Sequence, residues 1–266
     1  MTNLHIDMAD KFSINMRIFG SDVNEISIGN GQSRGARDYQ EDSFGYTPLE
    51  RAGSEGFTAV VADGMGGLSA GDKVSSYAVS ALLRMQANTA GNLPVHVKFR
   101  QMISAINREV VIGGSGGGCT VAAVLCRGDG VYWCSVGDSR IYIMRGGRLF
   151  QLSEDGDYQN QLLDDVIENR LSFSGMTANE KKDALVQYIG NKDEPDPDVN
   201  ILPLIPRVGD RLLICSDGVY NALEEGEMAR ALSCHAQDAA NALMNEILNK
   251  NYANQDNNTA IVLEFN

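Results

Sequence analysis

Short apolar strands that stop at glycine and aspartate turns constrain the fold of this 266-residue chain more than any other feature. Between residues 120 and 152, four such segments follow one another, separated by the turns Gly-Asp-Gly, Gly-Asp and Gly-Gly. Turns of this composition join neighbouring antiparallel strands. The pattern therefore predicts an antiparallel meander made of the strands Thr120–Leu125, Val131–Val136, Arg140–Met144 and Arg148–Leu152.

Helical periodicity lies outside this block of strands. Apolar residues recur at helical spacing over residues 71–87, 95–110, 220–232 and 236–249. Further strands are predicted at 23–29, 57–62, 211–215 and 259–265, and short helical pieces at 162–167 and 184–188. Because the helices cluster between groups of strands instead of alternating with them, we expect an α+β fold of layered sheets and helices. The whole chain, residues 1–266, is expected to form one domain.

The composition is that of a folded, acidic protein. Apolar residues make up 43% of the chain, and 22 basic against 35 acidic residues give a net charge of −13. Because nucleic acids and anionic membranes attract clustered positive charge, this balance argues against both as partners. Five cysteines without a C-x-x-C pair, no signal-like stretch in residues 1–20 and no apolar run of membrane-spanning length favour a cytoplasmic protein.

Carboxylates stand where several predicted strands begin or end. They occur in Glu41-Asp42, Asp63-Gly64, Asp138, Asp217-Gly218 and Asp256. Strand ends are rigid positions, and hard cations such as magnesium and manganese need several oxygen ligands. Acids and glycines are also common in turns for geometric reasons alone. A single site of this kind would therefore carry little weight, and the spacing does not show that the five sites converge.

Six motifs stand in order along the chain: Arg37-Asp38-Tyr39-Gln40-Glu41-Asp42, Asp63-Gly64-Met65-Gly66-Gly67, Gly118-Cys119-Thr120, Val136-Gly137-Asp138-Ser139-Arg140, Ser216-Asp217-Gly218 and Asp256-Asn257-Asn258-Thr259. They resemble the motifs of the metal-dependent serine/threonine protein phosphatases, the PPM or type 2C family, and extend over about residues 28–264. The resemblance implies a four-layer αββα sandwich, in which two packed antiparallel sheets are flanked by helices. It also makes residues 154–189 the counterpart of the family's variable flap.

The resemblance implies a centre with two divalent cations, Mn²⁺ or Mg²⁺. Asp63 would bridge the two ions. Glu41 and the carbonyl of Gly64 would complete one metal site. Asp217 and Asp256 would hold the other.

Three further roles come from the same resemblance. Asp42 would act largely through metal-bound water, and Asp138 together with Asp217 would hold a third, weaker ion. Arg37 would clamp the phosphate, which suits its planar guanidinium. Two cations would neutralise the phosphomonoester dianion and lower the pKa of a bridging water, so that hydroxide attacks phosphorus without a phospho-enzyme. Metal binding is also expected to stabilise the fold, because the carboxylates repel one another without it.

Met65 stands where many members of the family, eukaryotic ones especially, carry histidine, a candidate general acid. A thioether cannot donate a proton, so the sequence leaves the general acid open. Methionine at this position is common in bacterial members and therefore indicates a bacterial protein. The resemblance also implies phosphoserine and phosphothreonine proteins as substrates, an opposing serine/threonine protein kinase, a role in signalling, and a monomeric enzyme.

Two other hypotheses remain. Cys134 and Arg140 have the C-x5-R spacing of cysteine-dependent phosphatases. That family joins a strand to a helix at this loop, whereas the residues after Arg140 predict a hairpin, and Asp138 would repel phosphate. Alternatively, the chain is a catalytically weak phosphatase fold that serves as a binding or regulatory module. Such a module would be expected to lose metal ligands or the phosphate arginine, and this chain retains them.

Overall fold

The computed structural model describes residues 12–48, 50–52, 56–66, 70–88, 93–114, 116–179 and 184–266. In these ranges the strands are β1 (Phe12–Asn15), β2 (Glu25–Ser33), β3 (Ser43–Tyr46), β4 (Phe57–Ala62), β5 (Gly64–Met65), β6 (Gly118–Cys119), β7 (Val121–Arg127), β8 (Gly130–Val136), β9 (Arg140–Arg145), β10 (Arg148–Gln151), β11 (Asp198–Val199), β12 (Arg211–Cys215) and β13 (Asn258–Phe265). The helices are α1 (Gly71–Asn88), α2 (Val95–Gly113), α3 (Tyr158–Ile167), α4 (Phe173–Thr177), α5 (Asp217–Tyr220), α6 (Glu225–Ala231) and α7 (Ala236–Lys250). Residues 1–11, which belong to the stretch where no signal peptide is expected, and Gly67 of the second motif lie outside the described ranges.

Two antiparallel sheets form the centre of the molecule. One sheet has the strand order β1-β2-β13-β12-β9-β10, and the other has the order β11-β8-β7-β4-β3. A small ribbon pairs β5 with β6. None of the helices in the described parts of the chain is both long and apolar enough to cross a membrane.

The central strands are apolar on both faces, because helices cover the outer face of each sheet. In β4, Ala59 and Val61 pack into the core between the two sheets, whereas Val60 and Ala62 pack with residues of α1 and α2. Strand β12 divides its side chains in the same alternating way between the central core and the helices α6 and α7. The molecule is therefore a four-layer αββα sandwich, and the predicted α+β fold is confirmed.

The predicted meander is divided between the two sheets. Strand β7 pairs with β8 in the five-stranded sheet, and β9 pairs with β10 in the six-stranded sheet. The chain crosses over between β8 and β9, where Gly137 has a φ of +99° and a Cβ would lie 2.7 Å from the Thr120 side chain. Turn composition predicts that strands stop and restart there, but it does not predict that β9 leaves its sequence neighbour and pairs with β12.

One of the helical predictions is wrong and another is wrong in part. Residues 184–188 are not helical, because their backbone groups have tertiary partners: the N–H groups of Val186 and Gln187 both donate to the Gly156 carbonyl at 2.9 Å. The predicted helix over 220–232 is two helices, α5 and α6. A capping box formed by Glu224 and Glu227 starts the second of these.

Candidate active site

Four strand ends coincide at one edge of the six-stranded sheet. Its register places Cys215, the last residue of β12, opposite Ala260 of β13 and Arg140 of β9. On the other side of β13, Asn258 lies opposite Ser33, the last residue of β2. Because antiparallel pairing aligns the end of one strand with the start of the next, the adjoining segments leave the sheet together. These segments carry Arg37, Asp138, Asp217 and Asp256.

The five-stranded sheet contributes acids at its own strand ends in the same way. Ala62 at the end of β4 lies opposite Ser43 at the start of β3, and Val121 of β7 lies opposite Val136 of β8. The segments that adjoin these residues carry Glu41, Asp42, Asp63 and Asp138. Asp138 stands in the crossover between the sheets and so adjoins both edges. The tertiary structure thus brings together acids whose convergence the sequence left open.

Asp63 interacts with three other acids. Burial raises the pKa of its carboxyl well above the usual range, and the charges of Asp42, Asp217 and Asp138 raise it further. Thr120 holds the backbone of Asp63 on both sides. The Asp63 N–H donates to Thr120 Oγ1 at 2.9 Å, and the Asp63 carbonyl accepts from the Thr120 N–H at 2.8 Å. The carboxylate is therefore presented to its neighbours from a fixed backbone.

Asp42 is buried, with 4% of its surface exposed. Its Oδ2 accepts hydrogen bonds from the hydroxyls of Ser216 and Thr259, both at 2.7 Å, while its Oδ1 is buried without a hydrogen-bond partner. Burial raises the pKa of Asp42 to about 7; the two hydroxyl bonds lower it, and the charges of Asp217 and Asp256 raise it. One oxygen is thus anchored and the other is left free.

Asp138 and Asp217 extend this group of acids. Burial raises the pKa of Asp138 to about 6, with the charge of Asp217 as the next cause. Burial and the charge of Asp256 raise the pKa of Asp217, and Arg37 lowers it. The guanidinium of Arg37 forms an ion pair with Asp256 and is 53% exposed. Arg37 therefore lies on the solvent side of the cluster, within reach of an incoming anion.

Glu41 lies between two glycines that must lack side chains. A Cβ on Gly64 would stand 2.5 Å from the carbonyl oxygen of Glu41, and a Cβ on Gly71 would stand 2.6 Å from its Oε1. The N–H of Glu41 donates to Oδ1 of Asn257 at 2.7 Å. The Oε1 atom is buried without a hydrogen-bond partner. The backbone carbonyl of Glu41 therefore packs against Gly64, and its side chain packs against Gly71, the first residue of α1.

The residues of this site fit a hard divalent cation. Three carboxylate oxygens are buried without hydrogen-bond partners: Glu41 Oε1, Asp42 Oδ1 and Asp217 Oδ1. Buried acceptors without partners are unfavourable, and a cation would satisfy them while offsetting the repulsion between the acids. Within the described ranges, no three His, Cys, Asp or Glu side chains are already grouped as a metal site.

Sequence reasoning missed the polar residues that hold the acids in place. These are Thr120, Ser216, Asn257 and Thr259. Asn257 also donates to the carbonyls of Arg34 and Tyr39 at 2.9 and 3.0 Å, which ties the loop of the first motif to the last motif. Their position in the sequence could have indicated them, because each of the four residues lies inside one of the six motifs.

The cysteine hypothesis fails on geometry. Cys134 is fully buried in β8, and burial raises the pKa of its thiol far above the ordinary value. The guanidinium of Arg140 is bound by Asp155. Strands β8 and β9 lie in different sheets, and no helix follows the loop between them.

Met65 lies in β5, close to the site, and its thioether leaves the general acid unassigned.

The chain is similar to several known proteins. The protein phosphatase 2C family matches residues 34–255. The serine/threonine phosphatase stp of Listeria monocytogenes is 29% identical over 214 residues, which cover 77% of this chain and 83% of that protein. The solved serine/threonine phosphatase of S. agalactiae has a TM-score of 0.74 and 26% identity, with 91% of this chain and 100% of that chain covered. The catalytic domain of the serine/threonine protein phosphatase PstP, in complex with two manganese ions, has a TM-score of 0.66 and 26% identity, with 90% and 97% covered.

The chain shares its two-sheet antiparallel sandwich with the solved serine/threonine phosphatase of S. agalactiae. The chain belongs to the protein phosphatase 2C family. The predictions of the family, of its bacterial type, and of the enzyme class, a serine/threonine phosphatase, are confirmed.

Proposed function

We propose that this chain is a metal-dependent enzyme that removes phosphate from phosphoserine and phosphothreonine in proteins. The proposal rests on one observation: buried carboxylate oxygens without partners belong to a cluster of acids, and the half-exposed guanidinium of Arg37 pairs with one member of that cluster, Asp256. Such oxygens suit Mn²⁺ or Mg²⁺, and an exposed guanidinium suits a phosphate dianion. The names of the matching relatives, which are serine/threonine phosphatases, support the substrate class.

Two cations would share Asp63 as a ligand. Glu41 and the carbonyl of Gly64 would complete one site, and Asp217 and Asp256 would complete the other. The two manganese ions of the PstP catalytic domain support this number. When bound, such ions supply positive charge against the phosphoryl oxygens and lower the pKa of water toward neutrality.

Two further acids would act at the margin of this pair. The anchored Oδ2 of Asp42 leaves its Oδ1 free to accept a hydrogen bond from a water in the site. Asp138 would hold a third, weaker ion together with Asp217, whose charge already affects its pKa. The proposal also includes an opposing serine/threonine protein kinase. The enzyme would be a monomer and would act in signalling in a bacterial cytoplasm.

Arg37 would bind the phosphate oxygens. Its ion pair with Asp256 holds the guanidinium beside the acids, and a cation on Asp256 would leave the guanidinium free to face phosphate. We expect Arg37→Ala to raise KM for a phosphothreonine peptide by about 10-fold, since a charge-assisted hydrogen bond contributes roughly 1.5 kcal/mol. Mn²⁺ affinity, measured by calorimetry, should stay unchanged. A loss of metal binding in this variant would argue against the phosphate role.

The deciding experiment is hydrolysis of a phosphothreonine peptide by metal-free protein, with added Mn²⁺ and then with EDTA. We expect turnover that requires Mn²⁺, disappears in EDTA and is abolished in Asp217→Asn. Cys134→Ala is the matched control and should retain turnover. Activity of Asp217→Asn close to that of the wild type would overturn the metal assignment. No turnover by the wild type, on this peptide or on other phosphoesters, would favour a binding module instead.

A further inference from the structure

Arg140 begins β9, two residues after Asp138, and each of its three guanidinium nitrogens donates to another side chain. Its Nε and Nη2 donate to the carboxylate of Asp155 at 3.0 and 2.6 Å, and its Nη1 donates to the hydroxyl of Tyr142 at 3.0 Å. The side chains of Arg140 and Asp155 are 25% and 13% exposed. Because its fork already holds a carboxylate, Arg140 is not available as a second phosphate ligand.

The face of the same guanidinium lies on an aromatic ring. The Cζ atom of Arg140 is 3.7 Å from the centre of the Tyr220 ring, well within the distance of a cation–π contact. The Tyr220 hydroxyl donates to the backbone carbonyl of Asp138 at 2.9 Å. Tyr220 also ends α5, the short helix that begins with Asp217. One aromatic side chain therefore contacts the backbone of one acid and belongs to the helix of the other.

Asp155, the partner of Arg140, stands at the base of the 154–189 segment. The next residue, Gly156, donates its N–H to the carbonyl of Gly137 at 2.7 Å. Its carbonyl accepts from the N–H groups of Val186 and Gln187, both at 2.9 Å. The two ends of the segment thus meet beside the crossover that carries Asp138. The Arg140–Asp155 pair joins that base to the site.

We propose that Arg140 is a positioning residue. Acting through Tyr220, it aligns Asp138 and Asp217 for metal binding, and through Asp155 it couples this alignment to the base of the 154–189 segment. The inference rests on the proposed function, because it concerns the metal ligands of that site. A lysine would not replace the arginine, since only the planar guanidinium binds a carboxylate with two N–H groups while its face lies on a ring.

The chain contains a matched control on the same strand. Arg145, the last residue of β9, binds Asp210 with the same fork, through Nε at 3.0 and 3.1 Å and Nη2 at 2.5 Å. Asp210 is buried, with 3% of its surface exposed. The Arg145–Asp210 pair lies at the C-terminal end of β9, which is the end distant from Asp138. Its loss should therefore lower stability without affecting the site.

The test is Mn²⁺ binding to metal-free protein, followed by the electron paramagnetic resonance signal of free Mn²⁺. We expect Arg140→Lys to raise the Kd for Mn²⁺ at the weakest detected site by about 10-fold or more. Changes to residues that hydrogen-bond and orient metal ligands have effects of this size. Arg145→Lys should bind as the wild type does, although both variants melt earlier. In turnover assays, excess Mn²⁺ should restore kcat of Arg140→Lys, while KM for the peptide stays constant.

Tyr220→Phe keeps the ring under the guanidinium and removes only the hydrogen bond to Asp138. It should weaken the same Mn²⁺ site, and it carries the test if Arg140→Lys does not fold. The double variant should bind Mn²⁺ about as weakly as Arg140→Lys alone, because both changes interrupt one connection. Mn²⁺ affinity equal to that of the wild type in either single variant would overturn the inference. A wild-type protein that binds no Mn²⁺ would instead overturn the proposed function.

Discussion

Asp42, Asp63, Asp138 and Asp217 all have raised pKa values. Burial is the largest cause for each of them, and neighbouring carboxylates add to it. A protein that only needed a stable turn would not bury four acids against one another, since each charge must be removed from water without a compensating cation. At the scale of single residues, the burial of these acids should therefore lower the stability of the metal-free chain, and under the proposed function bound cations would offset that cost.

The pH dependence of the metal-free protein should reflect these pKa values. A carboxyl with a raised pKa binds its proton more tightly in the folded state than in the unfolded chain. Its stabilising contribution is therefore present at low pH and is lost as pH rises through about 6 for Asp138 and about 7 for Asp42. In EDTA we expect a higher Tm near about pH 5.5 than near about pH 7.5. A Tm that increases over this range would contradict the assignment.

Asp63→Asn should separate stability from metal binding. Removing one charge from among four acids relieves repulsion, so the metal-free variant should melt above the wild type. The same variant should lose most of the rise in Tm that Mn²⁺ produces. Asp22→Asn, at an exposed position, is the control and should change neither quantity. The measurement is thermal denaturation followed by circular dichroism, with and without Mn²⁺.

At the scale of elements, helices and loops approach the sheets closely where a residue has no side chain. A Cβ on Gly29 of β2 would lie 2.2 Å from the backbone carbonyl oxygen of Ala236, at the start of α7. A Cβ on Gly218 of α5 would lie 1.9 Å from the carbonyl oxygen of Asn257. The second contact lies within the site. The close packing of α5 against Asn257 therefore also determines the position of Asp217, the first residue of that helix.

Gly29→Ala and Gly226→Ala should change stability in opposite directions. The first places a methyl group against backbone that cannot move freely, and overpacking of this kind lowers stability by about 1–3 kcal/mol. The second adds a methyl group in α6 where no atom lies within 4 Å, so helix propensity should raise stability by about 0.5–1 kcal/mol. Urea denaturation measures both. Equal effects of the two substitutions would show that the close approach of α7 to β2 is not as described.

At the scale of the whole molecule, the ligands proposed for the cations come from both sheets. Glu41 and Asp63 adjoin strands of the five-stranded sheet, and Asp217 and Asp256 adjoin strands of the six-stranded sheet. Cations held by both sets would cross-link the sandwich at one edge. The central core does not need this link, because strands of both sheets already bury a continuous apolar layer between them.

Mn²⁺ should therefore raise the Tm of the metal-free protein in a concentration-dependent way. Binding to the folded state alone contributes about 2.7 kcal/mol when the free ion is at roughly 100 times Kd. Asp217→Asn should show much less of this stabilisation, and Cys134→Ala should show all of it. Calorimetric scans over a Mn²⁺ series give the measurement. A Tm that does not respond to Mn²⁺ would count against metal ligation by these acids.

Local pattern was enough to predict the central strands and the helices α1, α2 and α7, whereas the roles of the acids came from the resemblance and stay predictions. Strands such as β4 and β12 are short apolar runs bounded by turn residues. A pattern of this kind is visible within a few consecutive residues. The prediction failed at 184–188 and at the crossover after β8. In both places, partners distant in sequence, Gly156 for the first and β12 for the second, determine where the backbone hydrogen bonds go.

The amino-acid sequence by itself determined the central strands, most of the helices, and the acids and arginine available to bind metal and phosphate. It did so because side-chain chemistry and hydrophobic period are local properties. Only the tertiary structure decided that these acids meet, because antiparallel register aligns strand ends that lie far apart in the chain. It also decided which polar residues support them, such as Ser216 for Asp42 and Tyr220 for Asp138, since a hydrogen bond depends on distance in space.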